Sequence, residues 1–353
     1  MKTGKLRAGI DQLDARIVSL LNRRARLAAR IGQLKEKLRR FPYDPEREEA
    51  IITSLVRLNP GPLDREDLMA IYREVISACR KLEKKPRIAF LGPEASFSHA
   101  AAKKRFGQGV DFSPQASIAD VFLEVEKNNC DFGVVPIENS LEGAVTNTMD
   151  MITESDLNIC AEIFLPVSHC LLARRVRDRI ERIYSHPQVF GQCRGWLQKK
   201  SPGVELIEVA STAQAARLAA SEKGAAALAS RLAAAVYGLK VLAERIEDNS
   251  GNITRFMVIG RLKPAPSGRD RTSILFSLPH RAGSLYDALS AFKRRGINLT
   301  RIESRPFRKK PWEYYFFVDF EGHRCDKKIK AALLELQEAC LFLKILGSYP
   351  RND

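Results

Sequence analysis

Arg24 stands on an apolar seam. Positions 6, 10, 13, 17, 20, 24, 27, 31, 34 and 38 form a strict three-four alternation. Leu6, Ile10, Leu13, Ile17, Leu20, Leu27, Ile31, Leu34 and Leu38 fill it, as on one face of a helix. A cation in that row needs a buried anion. Lys35 lies three turns further on, ~16 Å along the same face, so two long side chains can clamp one small dicarboxylate. Arg23 and Arg26 are read as solvated surface charges. A second group of residues is polar and uncharged in the main. It comprises Gly92–His99, Val135–Gly143, Tyr184–Gln188 and Asn252–Phe256. Each alone is as easily a turn or a helix cap. Jointly they set hydroxyls, amides and Arg255 at strand C-termini and helix N-termini, where an α/β fold binds anions. A third group, Ala282–Tyr286 and Glu303–Pro306, pairs a helix start with a strand. No GxxxxGK[ST] occurs, and no GxGxxG follows a strand, which excludes the usual nucleotide sites. The five His show no HExxH or HxH spacing and the seven Cys no CxxC, so neither a metal nor a disulfide framework is expected.

Three kinds of segment must position these groups. Residues 1–84 read as all helix: one from about Lys5 to Arg39, ~50 Å long, a second from about Pro45 to Leu58, and a third N-capped by Asp64 and running through Glu83. Three such helices cannot bury their apolar faces within one chain, which predicts an intertwined dimer. After Lys84-Lys85-Pro86, strand and helix alternate. Arg87–Leu91, Asp131–Ile137, Arg182–Tyr184, Leu206–Val209 and Ala225–Leu228 are expected strands. Ser98–Phe106, Ile118–Asn128, Phe190–Lys199, Thr212–Lys223 and Ser230–Tyr237 are expected helices. The spacing predicts a parallel α/β sheet in two lobes. Beyond the linker Lys263–Gly268 the pattern is βαββαβ, which predicts a ferredoxin-like sandwich.

The chain has 353 residues, 45% of them hydrophobic, enough for two or three domains with cores. Lys+Arg 58 against Asp+Glu 42 gives a net charge of +16, a field that suits nucleic acid, anionic lipid or small polyanions. The longest uncharged apolar stretch, Ile163–Ala173, is too short to span a bilayer. Asp11 and Asp14 interrupt any signal-peptide core, so a cytoplasmic protein is expected.

Leu6–Lys35 followed by Tyr43-Asp44-Pro45-Glu46-Arg47-Glu48 resembles the all-helical chorismate mutases. The resemblance implies that Arg7, Arg24, Lys35, Asp44, Arg47, Glu48 and Glu83 contact substrate. In that scheme the arginines hold carboxylates, Lys35 and Glu83 donate to the ether oxygen, and Glu48 takes the hydroxyl. Glu83 stands where some members have Gln, and Cys79 where some have Ser. Arg7 and Arg24 are ~25 Å apart along one helix, so Arg7 of such a site must come from another chain. The four polar motifs jointly resemble prephenate dehydratase, with Ala95-Ser96 in place of the more usual Gly-Thr and Leu141 in place of Thr. This implies Thr254 as proton donor or positioner, Arg255 as carboxylate anchor, and Ser96, Glu138, Asn139, Ser140 and Phe256 at the substrate. Glu138 or a water is the alternative proton source. The last segment, ending in Gly347-Ser348-Tyr349-Pro350, resembles the ACT regulatory domain. There Gly283, Ser284, Leu285, Glu303, Ser304 and Arg305 would frame L-phenylalanine at a subunit interface.

Together the resemblances imply three domains. They are an all-α intertwined helical mutase domain (1–84), a two-lobed, periplasmic-binding-protein-like α/β dehydratase domain (86–262), and a ferredoxin-like α+β ACT domain (270–353). The expected partners are chorismate, prephenate and L-phenylalanine, in a homodimer or dimer of dimers, with no nucleic acid, membrane, cofactor or metal. The alternative is an ACT-containing, amino-acid-sensing nucleic-acid-binding regulator, which would account for the charge but carries no recognised DNA-reading motif.

Overall fold

The structure, a computed structural model, describes residues 2–37, 45–83, 85–176, 179–306 and 314–352. Asp44 therefore lies outside the described residues, as do the side chains of Lys35 and Glu83. Three helices open the chain: α1 (Lys2–Lys37), α2 (Pro45–Leu58) and α3 (Arg65–Glu83). Pro45 begins α2 where a missing N–H costs nothing. The Asp64 carboxylate caps α3 by accepting the Asp67 N–H at 2.8 Å. α1 lies along α3, yet its seam stays open to solvent, with Leu6 68%, Leu20 64% and Leu34 59% exposed.

The middle segment has two lobes. In order, the first contains β1 (Arg87–Leu91), α4 (Phe97–Phe106), β2 (Asp111–Gln115), α5 (Ile118–Glu126), β3 (Phe132–Asn139), β4 (Gly143–Ala144), α6 (Thr146–Glu154) and β5 (Asn158–Pro166). The chain then crosses to β6 (Cys170–Ala173), β7 (Arg182–Ser185), α7 (Pro187–Gln192), α8 (Arg194–Lys200), β8 (Glu205–Glu208), α9 (Thr212–Ser221), β9 (Ala225–Ala229), α10 (Arg231–Tyr237) and β10 (Lys240–Glu244). It returns to the first lobe as β11 (Ile253–Gly260). The sheets run β2-β1-β3-β11-β5, with β4 beside β3, and β10-β6-β9-β7-β8.

The expected parallel sheet is mixed instead. β1 is parallel to β2 and β3, but β11 is antiparallel to both β3 and β5. The chain leaves for the second lobe after β5 and returns as β11, which enters the sheet in the opposite sense. The helix expected over Phe190–Lys199 is two short helices meeting at Cys193.

The last segment is ferredoxin-like: β12 (Asp270–Ser277), α11 (Ser284–Lys293), β13 (Leu299–Pro306), β14 (Tyr314–Glu321), α12 (Lys327–Ala339) and β15 (Phe342–Pro350), in sheet order β13-β14-β12-β15. The sheet face away from its helices packs on the first lobe. Leu275, Phe317, Leu346 and Tyr349 share one apolar cluster with Val121, Phe122, Ile159 and Met257.

Candidate active sites

Thr254 and Asn139 face each other across the antiparallel pair β11–β3. Asn139 Oδ1 accepts the N–H groups of Leu141 at 3.0 Å and Glu142 at 3.2 Å. That fixes the amide's orientation from the network itself. Its Nδ2 then donates to Thr254 Oγ1 at 2.8 Å and to Asn252 Oδ1 at 2.7 Å. Thr254 is therefore an acceptor toward Asn139, and its own proton is free to be donated. Ser140 Oγ donates to the Gly251 carbonyl at 3.2 Å and accepts the Ile253 N–H at 2.9 Å, tying the β3 end to the loop that precedes Thr254. The pair sits where the chain crosses between lobes, since Val167 N–H donates to the Asn252 carbonyl at 2.8 Å.

Ser96, which follows β1 at the end of the sheet where β3 ends and β11 begins, caps α4. Its Oγ accepts the His99 N–H at 3.2 Å and donates to the Leu91 carbonyl at 3.0 Å. Ala95 before it adopts a left-handed φ of 67°, and its carbonyl accepts from Ser230 Oγ of the second lobe at 3.1 Å. His99 Nδ1 accepts the Ala95 N–H at 3.1 Å, while Nε2 is buried without a partner. Burial, with help from Lys103, pushes the His99 pKa down.

Alternation along the strands sends the neighbours of Asn139 and Thr254 to the other face. Glu138 and Arg255 pair there, toward the C-terminal domain. Glu138 lies 3.2 Å from the Arg301 guanidinium of β13. Arg255 is 6% exposed, with Glu162, Asp319 and Tyr349 around it. The expected carboxylate anchor thus spends its donors inside the protein. Phe256, also expected at substrate, is packed with Ile88, Phe90 and Val134 in the core.

In the helical segment four of the candidates have described side chains. Arg24 is half-buried on α1 and Arg7 exposed. Glu48 of α2 pairs with buried Arg80 of α3, which also donates to the Phe106 carbonyl at 3.3 Å. Arg47, one residue before Glu48, is exposed. In the C-terminal domain, Gly283 (φ 81°) starts α11, Leu285 is half-buried, and Ser284 Oγ donates to the Pro279 carbonyl at 2.7 Å. β12 and β13 both run antiparallel to β14, so Gly283 and Ser304 lie at the same end of the domain. Ser304 is exposed, whereas its neighbours Glu303 and Arg305 turn the other way, Arg305 pairing with Asp150 of α6 at 2.6 Å.

Sequence reasoning placed Asn252 in a motif without giving it a role, and passed over Ser230, Glu162 and Asp319. Glu162 carried a signal, as a lone charge inside the apolar run Ile159–Leu165 that demands a buried cation. Ser230 and Asp319 carried none, because each depends on a partner far along the chain. The cysteines among the described residues are free, and burial pushes the Cys193 and Cys340 thiols up to about 12, which disfavours thiolate chemistry. No group of three metal-ligating side chains gathers among the described residues.

Comparison with known proteins matches residues 6–84 to the model of chorismate mutase type II, 88–264 to prephenate dehydratase and 272–338 to the ACT domain. A bifunctional chorismate mutase/prephenate dehydratase of Aquifex aeolicus is 48% identical over 98% of this chain and 97% of its own length. Among solved structures, prephenate dehydratase from Arthrobacter aurescens in complex with L-Phe is 36% identical. It has a TM-score of 0.68 and covers 75% of this chain and 90% of that one. A quorum quenching acylase, GqqA, is 31% identical with a TM-score of 0.69, covering 75% of this chain and 98% of that one.

Proposed function

The chain belongs to the bifunctional chorismate mutase/prephenate dehydratases, and from that premise we propose how its residues divide the work. It rearranges chorismate to prephenate and then dehydrates and decarboxylates prephenate to phenylpyruvate, under feedback inhibition by L-phenylalanine at the ACT domain. The regulator alternative is not favoured. The assigned domains are 1–84, 86–262 and 270–353. The free thiols and the biosynthetic relatives support work in the cytoplasm.

The dehydratase barrier lies mainly in making hydroxide leave, because loss of CO2 yields an aromatic ring. Thr254 delivers the proton to the departing oxygen. The single observation that carries this role is the Asn139 amide. It occupies one Thr254 lone pair and leaves the hydroxyl proton to be donated elsewhere. Hydrogen bonding to that oxygen also makes the hydroxyl a better donor. Ser140 and Asn252 hold the pair in register, and the first turn of α4 after Ser96 offers N–H groups to a substrate carboxylate. Glu138 and Arg255 stand behind the strand in this arrangement, as its support.

The mutase reaction is a pericyclic rearrangement that needs a cage and charge at the breaking ether bond rather than a nucleophile. Arg24, Lys35, Asp44, Arg47, Glu48 and Glu83 supply it together with Arg7 of a second chain. The exposed α1 seam supports a homodimer, alone or as half of a dimer of dimers.

Thr254→Ala should lower kcat for prephenate by about 10²–10⁴-fold, while Thr254→Ser, which keeps the hydroxyl, should stay within about tenfold. Full turnover by Thr254→Ala would remove the residue from the mechanism.

A further inference from the structure

The strand carrying Thr254 is gripped from behind by the effector domain. Arg255 Nε donates to Glu162 of β5 at 3.0 Å, its Nη1 pairs with Asp319 of β14, and its Nη2 donates to Tyr349 Oη of β15 at 3.2 Å. Arg271 of β12 pairs with the same Glu162 carboxylate, and Ser273 Oγ donates to Asp319. Two cations and two carboxylates thus form a buried cluster in which both members of the Arg255–Asp319 pair are under 7% exposed. Burial alone would raise the Asp319 pKa, but Arg255 and Ser273 outweigh it and hold the carboxyl below its ordinary value. Parting such a pair strands two buried charges. The contact is consequently either made or broken, as a two-position element must be, whereas an apolar contact could slide. It joins one strand of the effector sheet to the residue beside the proton donor.

We propose that Asp319 is a positioning residue of the dehydratase site, acting through Arg255, and that this pair is the contact by which the effector domain sets the strand bearing Thr254. The proposal rests on the Thr254 assignment above. Coupling of this kind requires that L-phenylalanine bind the two arrangements with different affinity.

The test uses the full chain with Asp319→Asn, which keeps shape and removes charge. L-Phenylalanine binding is measured by calorimetry, and half-inhibition is measured on whatever prephenate turnover the variant retains. Binding within about twofold of wild type, with half-inhibition displaced at least tenfold (about 1.4 kcal/mol of coupling), is the expected result. Glu335→Gln, which breaks the pairing of α12 with Arg294 and Arg295 just past the end of α11, should shift neither. Inhibition of Asp319→Asn at the wild-type phenylalanine concentration overturns the proposal. If Asp319→Asn does not fold or bind, Ser273→Ala decides. It removes two hydrogen bonds, to Asp319 and to Tyr349, and no charge, so a smaller displacement in the same direction supports the coupling and an unchanged half-inhibition overturns it. A failure of Thr254 itself would show as full turnover by Thr254→Ala, a separate measurement.

Discussion

The role proposed for Thr254 rests on one contact, since a neighbour's N–H already occupies its oxygen. Its place in a Thr-Arg-Phe triplet was visible in the sequence, as was Asn139 in Ile137-Glu138-Asn139-Ser140. The direction of each side chain was not visible. Arg255 and Glu138 face the effector domain by strand alternation, and a shift in register between Arg255 and Phe256 then adjusts the pairing with β3. No count of residues along one strand reveals such a shift. His99 illustrates a pH effect at the same scale. With its Nδ1 accepting the Ala95 N–H, protonation would set donor against donor, and burial already holds the folded pKa down. The unfolded chain therefore takes its proton first, below about 6.5. Stability is full above that pH and falls as pH drops toward the folded value. His169, also buried with its pKa pushed down by burial, adds to the same trend. Melting temperature should consequently fall from pH 7.5 to 5.5 by a few degrees less in His99→Gln than in wild type, ~2–4 °C per kcal/mol lost. Equal slopes would show that His99 does not titrate with unfolding.

Among the elements, α1 was the most legible, because its three-four alternation persists over ten positions and depends on nothing else. β5 and β11 were missed. β5 carries Glu162 and β11 carries Thr254 and Arg255, so a charge or hydroxyl breaks the apolar pattern of each, although both strands are largely buried. The open seam of α1 leads to a quantitative expectation. If each mutase site takes Arg24 from one chain and Arg7 from the other, Arg7→Ala and Arg24→Ala are each inactive alone. Unfolding and refolding an equal mixture yields about half heterodimers by random pairing, each with one intact site of two. Mutase activity should return to about a quarter of wild type, read by chorismate consumption. No recovery, with mixed dimers demonstrated, would place both arginines in one chain's site.

The whole molecule is held together by contacts that cross its segments. A Cβ added to Gly347 of β15 would run into the Ile159 carbonyl of β5, so backbone approaches backbone where the effector sheet docks. Lys344 Nζ donates to the carbonyls of Ile152, Thr153 and Ser155 at the end of α6, which Arg305 also grips. The order and kind of the three segments were readable from linkers and periodicity. Their docking was not, because it is written in single residues far apart in sequence. The central claim is that one chain performs two chemistries at separate sites, the second through Thr254. The most direct measurement feeds chorismate to wild type and to Thr254→Ala and follows prephenate and phenylpyruvate separately over time. Wild type should convert prephenate onward, whereas the variant should consume chorismate at the wild-type rate and accumulate prephenate. Phenylpyruvate formed at the wild-type rate by Thr254→Ala, or loss of both steps in a folded variant, would contradict the account.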